Sequence, residues 1–194
     1  MKEAKSQFSV RSMVFTALFA ALICVAAPFS IQVGPIPISL ATFAIYLTGA
    51  ILGGKRGMIA TFVYIMIGAV GLPVFSGFRG GFGALFGPTG GYIIGYIPLV
   101  LITGIFAEMN IKKINRAVVT VIGMILATAA LYTFGTIWYM IVSGNDLITS
   151  LKVCVIMFIP GDAIKIVCAT ALSAPLKAKL GNAMLGSKQN IDRH

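Results

Sequence analysis

Asp162 and Lys165 stand three residues apart inside an otherwise apolar stretch, in the run Pro160-Gly-Asp-Ala-Ile-Lys165. In a helix that spacing places both side chains on one face. A carboxylate beside an ammonium offers an acceptor and a donor together, which suits a ligand carrying N–H groups and an acid group. Lys165 is 13 residues from Lys152 and 12 from Lys177, roughly 20 Å from either at about 1.5 Å per helical residue. It therefore lies deep, away from an edge where it could snorkel. A charge near the centre of a bilayer costs at least ~2.5–3.5 kcal/mol, so such residues usually mark a binding or transport path. The competing reading is a structural pair that neutralises itself. Pairing alone does not justify the burial, since desolvation often exceeds the Coulomb gain. Arg79 supplies a further cation for an anionic ligand.

Catalytic constellations are missing from the sequence. Five acidic residues, one histidine at position 194 and three cysteines, Cys24, Cys154 and Cys168, form no Ser/His/Asp set, no HExxH and no metal-ligand spacing. An enzyme would be poorly equipped, and neither a metal nor a cofactor is expected. Gly49-x-x-x-x-Gly54-Lys55 imitates a phosphate-binding loop. The next residue is Arg56 rather than Ser or Thr, and the motif falls between two apolar stretches instead of a strand and a helix. Any ATP-driven process must borrow its ATPase from another chain.

The elements that must carry these residues are hydrophobic. The chain of 194 residues is 58% hydrophobic and 10% charged, with mean hydropathy +0.98. A soluble domain would carry roughly 25% charged residues. Apolar runs near 13–29, 37–53, 57–72, 92–107, 117–142 and 151–176 predict six transmembrane helices, given ~20 residues per span with a range of about 17–25. The runs are continuous, which excludes a barrel of alternating strands. The first resembles a signal peptide but lacks a small-residue cleavage site followed by a soluble protein, so it reads as a helix. The expected fold is an all-α membrane protein, a compact six-helix bundle forming a single integral membrane domain over 1–194.

The net charge of +10 follows topology, not nucleic acid. Twelve basic residues (Lys2, Lys5, Arg11, Lys55, Arg56, Lys112, Lys113, Arg116, Lys177, Lys179, Lys188, Arg193) cluster at one set of helix ends, against Arg79 and Lys152 at the other. By the positive-inside rule both termini are cytoplasmic. Segments 31–35, 73–91 and 143–150 then face outward, in a multi-pass protein of the cell membrane surrounded by lipid. Residues 1–11 suit a short interfacial helix.

Segment 73–91 is rich in glycine, seven of the fifteen residues from Gly77 to Gly91, and carries Phe75, Phe78, Phe82 and Phe86. Greasy non-helical backbone at membrane depth is tolerated where protein buries it or it lines a cavity. The segment is expected to fold back as a lid or pocket wall. Gly34-Pro-Ile-Pro-Ile38 suits an extended lead into the second helix and a second wall. Ala17-x-x-x-Ala21, Gly87-x-x-x-Gly91 and Gly91-x-x-x-Gly95 have the spacing that lets helices approach closely, within the chain or against a partner.

Pro73-Val-Phe-Ser-Gly-Phe-Arg-Gly-Gly, Gly87-Pro-Thr-Gly-Gly-Tyr-Ile-Ile-Gly-Tyr96 and Pro160-Gly-Asp-Ala-Ile-Lys165 together resemble the BioY family. These are biotin-specific substrate-binding (S) components of energy-coupling factor (ECF) vitamin transporters. The resemblance spans nearly the whole chain. It implies a six-helix bundle that binds biotin near the outer face, under the loop between helices 1 and 2 and the segment between helices 3 and 4. It implies that Asp162 and Lys165 hydrogen-bond the vitamin and that Gly90, Gly91 and Tyr92 line the pocket. It further implies that Ala17 and Ala21 dock on a transmembrane coupling protein carrying two ATPase subunits. Ser76 and Phe78 depart from the more Ala/Gly-rich versions expected there. Two rival readings are a self-sufficient secondary transporter of a small anionic solute, with Asp162 as its proton site, and a membrane scaffold with a structural ion pair.

Overall fold

The computed structural model describes residues 10–109 and 114–185, with side chains described as far as Leu180. Residues 1–9 of the expected interfacial helix, and Lys2, Lys5, Lys112, Lys113, Lys188 and Arg193 of the charge pattern, lie outside the described residues.

Helix α1, Val10–Ala26, ends just before Pro28, and the chain turns into a two-residue strand. Strand β1, Ser30–Ile31, pairs antiparallel with β2, Ile38–Ser39, with Ser30 opposite Ser39 and Ile31 opposite Ile38. Pro35 and Pro37 between them cannot donate backbone hydrogen bonds, which keeps the intervening backbone out of a helix. This pair is a local addition to an otherwise helical fold. It also delays the second helix, α2, to Ala41–Leu52.

Gly53, at φ +82°, separates α2 from α3, Gly54–Ala69. Left-handed backbone of that kind favours glycine. A Cβ on Gly53 would also stand 1.8 Å from Glu108 Oε1. The place where a phosphate-binding loop would hold its phosphate is thus beside the protein's own carboxylate.

A short helix α4, Phe82–Phe86, precedes α5, Gly90–Glu108, and α6, Arg116–Ser143. The last expected helix is broken. It comprises α7, Leu147–Leu151, a π-helical turn at Lys152–Ile156, and α8, Ile159–Leu185. Asp146 caps α7 by accepting a bond from the Thr149 amide at 3.3 Å; the Thr149 hydroxyl, and after it this amide, holds its carboxyl below the usual range. From the sequence, Pro160-Gly161 is the expected point of interruption, since proline breaks helices. In the structure Pro160 occupies the first turn of α8, where proline's missing N–H has no intrahelical partner to lose, and the break falls at Met157–Phe158.

Among the described residues, three segments are long and apolar enough to cross a membrane: Gly90–Glu108, Arg116–Ser143 and Leu147–Leu180. Helices α1, α2 and α3 have 17, 12 and 16 residues, short of the ~20 for a full span. The sequence predicts six spans; among the described residues three are long enough, α1 and α2 are shorter apolar helices, and α3 opens with Lys55 and Arg56 in its first turn. The β pair and Gly53 account for the shortness of α2.

The interior is filled by Ile23, Ile45, Tyr46, Tyr64, Leu99, Met124 and Leu131. The exterior is also apolar, with Val14, Leu18, Ile141, Ile164 and Val167 mostly exposed. Helices hydrophobic on every side belong in a membrane. A Cβ on Gly91 would approach Trp138 Cβ to 2.3 Å, and one on Gly95 would meet Leu131 Cδ1 at 2.8 Å. The glycine stripe therefore closes α5 on α6 as internal packing.

Candidate functional site

Four parts of the fold meet at one end of the bundle: the β1–β2 connection, the glycine-rich segment, the first turns of α5 and the start of α8. They line a narrow cavity of about 30 Å³ that is open on one side. Asp162, Lys165, Arg79 and Tyr92 all contribute to its wall. So do Ile36 and Pro37 from the β connection, as expected of a second wall.

The glycine-rich segment reaches the cavity because its backbone is tied at three points. Phe75 and Arg79 exchange backbone bonds at 2.8 and 3.3 Å, the Gly81 amide donates to Gly68 at 2.7 Å, and the Gly77 amide donates to Pro28 at 3.0 Å. Phe75 is buried edge-on against Tyr64, with ring centroids 5.6 Å apart. A Cβ on Gly68 would stand 2.2 Å from the Phe75 ring, so this glycine is the seat of that anchor. Of the four phenylalanines only Phe75 is buried; Phe78, Phe82 and Phe86 are exposed.

Lys165 Nζ stands 3.0 Å from Asp162 Oδ1. The one-face expectation from the i, i+3 spacing therefore holds. Asp162 is buried and Lys165 nearly so, their side chains 4% and 11% exposed. Two hydroxyls from other helices complete the cluster. Thr42 of α2 accepts from Lys165 at 3.0 Å and donates to Asp162 Oδ1 at 3.3 Å. Tyr132 of α6 donates to Asp162 Oδ2 at 2.8 Å. Charge-assisted bonds of this type are about twice as strong as neutral ones. They meet the condition under which a buried ion pair is tolerated, namely that its remaining lone pairs find donors.

Tyr92 lies nearly parallel to Phe158, centroids 5.6 Å apart. Its hydroxyl donates to the Cys154 carbonyl in the π turn. The break before α8 thus has its backbone satisfied by α5. Tyr64, Tyr96 and Leu131 complete an aromatic and apolar wall. The cavity therefore presents one carboxylate and one ammonium at its base, a guanidinium from the glycine-rich segment, and ring faces between them. Arg79 is exposed overall although it borders the cavity.

Gly90 and Gly91 are not part of this wall. A Cβ on Gly90 would meet the Leu85 carbonyl at 1.8 Å and Trp138 Nε1 at 2.9 Å. Trp138 also donates to the Gly87 carbonyl at 2.9 Å. These glycines hold the end of the segment against α6, which corrects their expected place in the pocket. Ala17 and Ala21 are exposed on α1, outside the cavity. Ala21 borders an apolar groove formed with Leu18, Leu22, Leu47, Leu176 and Leu180. Thr42, Tyr132, Tyr96 and Phe158 were not foreseen from the sequence. Threonines and aromatics are scattered through every apolar stretch, and nothing local distinguishes these four.

Comparison with known proteins places this architecture. Over 168 residues the chain is 35% identical to the biotin transporter BioY of Thermotoga maritima, covering 87% of this chain and 96% of that protein. Over 172 residues it is 36% identical to the biotin transporter BioY of Rhizobium etli, covering 84% and 91%. Its fold is similar to the 2.1 Å crystal structure of the S-component for biotin from an ECF-type ABC transporter, with a TM-score of 0.80 and 29% identity over 87% of this chain and 92% of that one. A family model described as the BioY family matches residues 1–182. That match runs through every helix that positions the cavity, and the chain belongs to the BioY family.

Proposed function

We propose that this chain is the biotin-binding S component of an ATP-driven ECF importer. It is a transporter component, not an enzyme. The carrying observation is the Asp162–Lys165–Thr42 cluster at the base of an aromatic-walled cavity. Biotin has two ureido N–H groups, a ureido carbonyl, an apolar sulfur-containing bicycle and a carboxylate. In this reading Asp162 accepts a ureido N–H and Lys165 donates to the ureido oxygen. Tyr92 and its aromatic neighbours cover the bicycle, and Arg79 pairs with the carboxylate. A cation of the guanidinium type presents two parallel donors to a carboxylate.

The cavity opens outward, both termini are cytoplasmic, and the chain lies in the cell membrane with its shorter helices completing six spans. The basic residues Lys55, Arg56, Arg116, Lys177 and Lys179 support that orientation. Ala17 and Ala21 on α1 are the proposed contact with a transmembrane coupling protein, which in turn carries two ATPase subunits. Exposed alanines allow close helix approach.

Native mass spectrometry of the purified chain tests the reading. Addition of biotin should produce a one-to-one complex, and addition of an unrelated heterocyclic vitamin should not. A spectrum unchanged by biotin contradicts it.

A further inference from the structure

Asp162 is reached from two sides. Thr42 and Lys165 meet Oδ1 from α2 and from α8 itself. Tyr132 meets Oδ2 from α6. Tyr132 does not border the cavity. It borders a separate groove between α6 and α8, lined by Ile125, Thr128, Ala129, Ile159, Ala163 and Ile166 together with Asp162. That groove is almost wholly apolar, so the Tyr132 hydroxyl is the group that satisfies Asp162 on this side. Nearby, the Tyr46 hydroxyl bonds Thr128 at 2.5 Å, which fixes the α6 turn preceding Tyr132.

An ionised carboxylate has about four acceptor positions. Thr42 and Lys165 take two on Oδ1 and Tyr132 takes one on Oδ2, leaving a single position on Oδ2. We infer that Tyr132 is a positioning residue for the ligand: from behind the cavity wall it orients Asp162 so that its one remaining acceptor site faces inward and accepts a single ligand N–H. This rests on the proposed binding of biotin at Asp162. Loss of the hydroxyl leaves the carboxylate held through Oδ1 alone and Oδ2 without a donor on the apolar groove side, which is disfavoured.

The test is a double-mutant cycle on the full chain in detergent, with Tyr132→Phe, Asp162→Asn and both together. Biotin affinity is read by calorimetry and the ligand-free unfolding midpoint by a thermal melt. Y132F should weaken biotin binding about 10-fold or more, consistent with one bond to a charged group. In melts the two substitutions should be non-additive, because coupled groups share an interaction energy that independent sites lack. Y132F binding biotin as the parent does, while D162N loses it, overturns the role of Tyr132 and leaves the site intact. Additive melts also overturn it. D162N binding biotin as the parent does overturns the site itself.

Discussion

The Thr42 hydroxyl bridges the buried ion pair, accepting from Lys165 at 3.0 Å and donating to Asp162 at 3.3 Å. It ties α2 to α8, residues 120 positions apart in the chain.

Thr42→Val keeps the shape and removes the bridge. Hydrogen bonds to charged groups contribute about 1.5–3 kcal/mol. Biotin binding should therefore weaken by roughly 10- to 100-fold, while Thr42→Ser should retain most of it. Isothermal titration of the two variants checks this.

Phe29 and Phe78 meet edge to face, with centroids 5.8 Å apart and planes at 73°, in a groove beside the cavity that also reaches Lys165. Phe78 holds a left-handed backbone, φ +57°. An aromatic pair contributes about 0.5–1.5 kcal/mol beyond burial. Phe78→Ala should raise the dissociation rate of biotin about two- to tenfold while leaving the association rate nearly unchanged, as is usual for variants of one site. A chase of bound radiolabelled biotin by unlabelled ligand measures it.

At the opposite end of α8, Lys177 donates to the Ala50 and Ala107 carbonyls, each at 3.1 Å. These are last-turn carbonyls of α2 and α5, which have no partner within their own helices. Lys177→Met should lower the thermal midpoint, by about 2–4 °C for each 1 kcal/mol lost in a chain this size. Biotin affinity should be unchanged, since Lys177 is absent from the cavity wall.

The charged pair was legible because a Lys and an Asp three apart in an apolar run admit few other uses. The pocket-wall role of the glycine-rich segment followed from its composition, and Phe75 buried against Gly68 is its physical basis. Gly90 and Gly91 were misplaced because a glycine that admits a ligand and one that admits a tryptophan look alike in sequence. Only the approach of Trp138 separates them. The break before α8 was expected at Pro160, since proline disrupts helices. In the structure the backbone opens upstream, where the Tyr92 hydroxyl on α5 satisfies the Cys154 carbonyl. Such tertiary partners leave no local signal. Tyr132 and Thr42 were missed for the same reason: each is one polar group on an apolar helix, given a role by what lies across from it.

The most direct measurement is equilibrium biotin binding by the purified chain beside its Asp162→Asn, Lys165→Met double variant, with thermal melts of both. Removing both charges together leaves no unpaired buried ion, so the fold should survive. The account predicts one-to-one binding with a dissociation constant on the order of nanomolar for the parent, no detectable binding for the double variant, and similar melting midpoints. A double variant that binds biotin as tightly as the parent would contradict it.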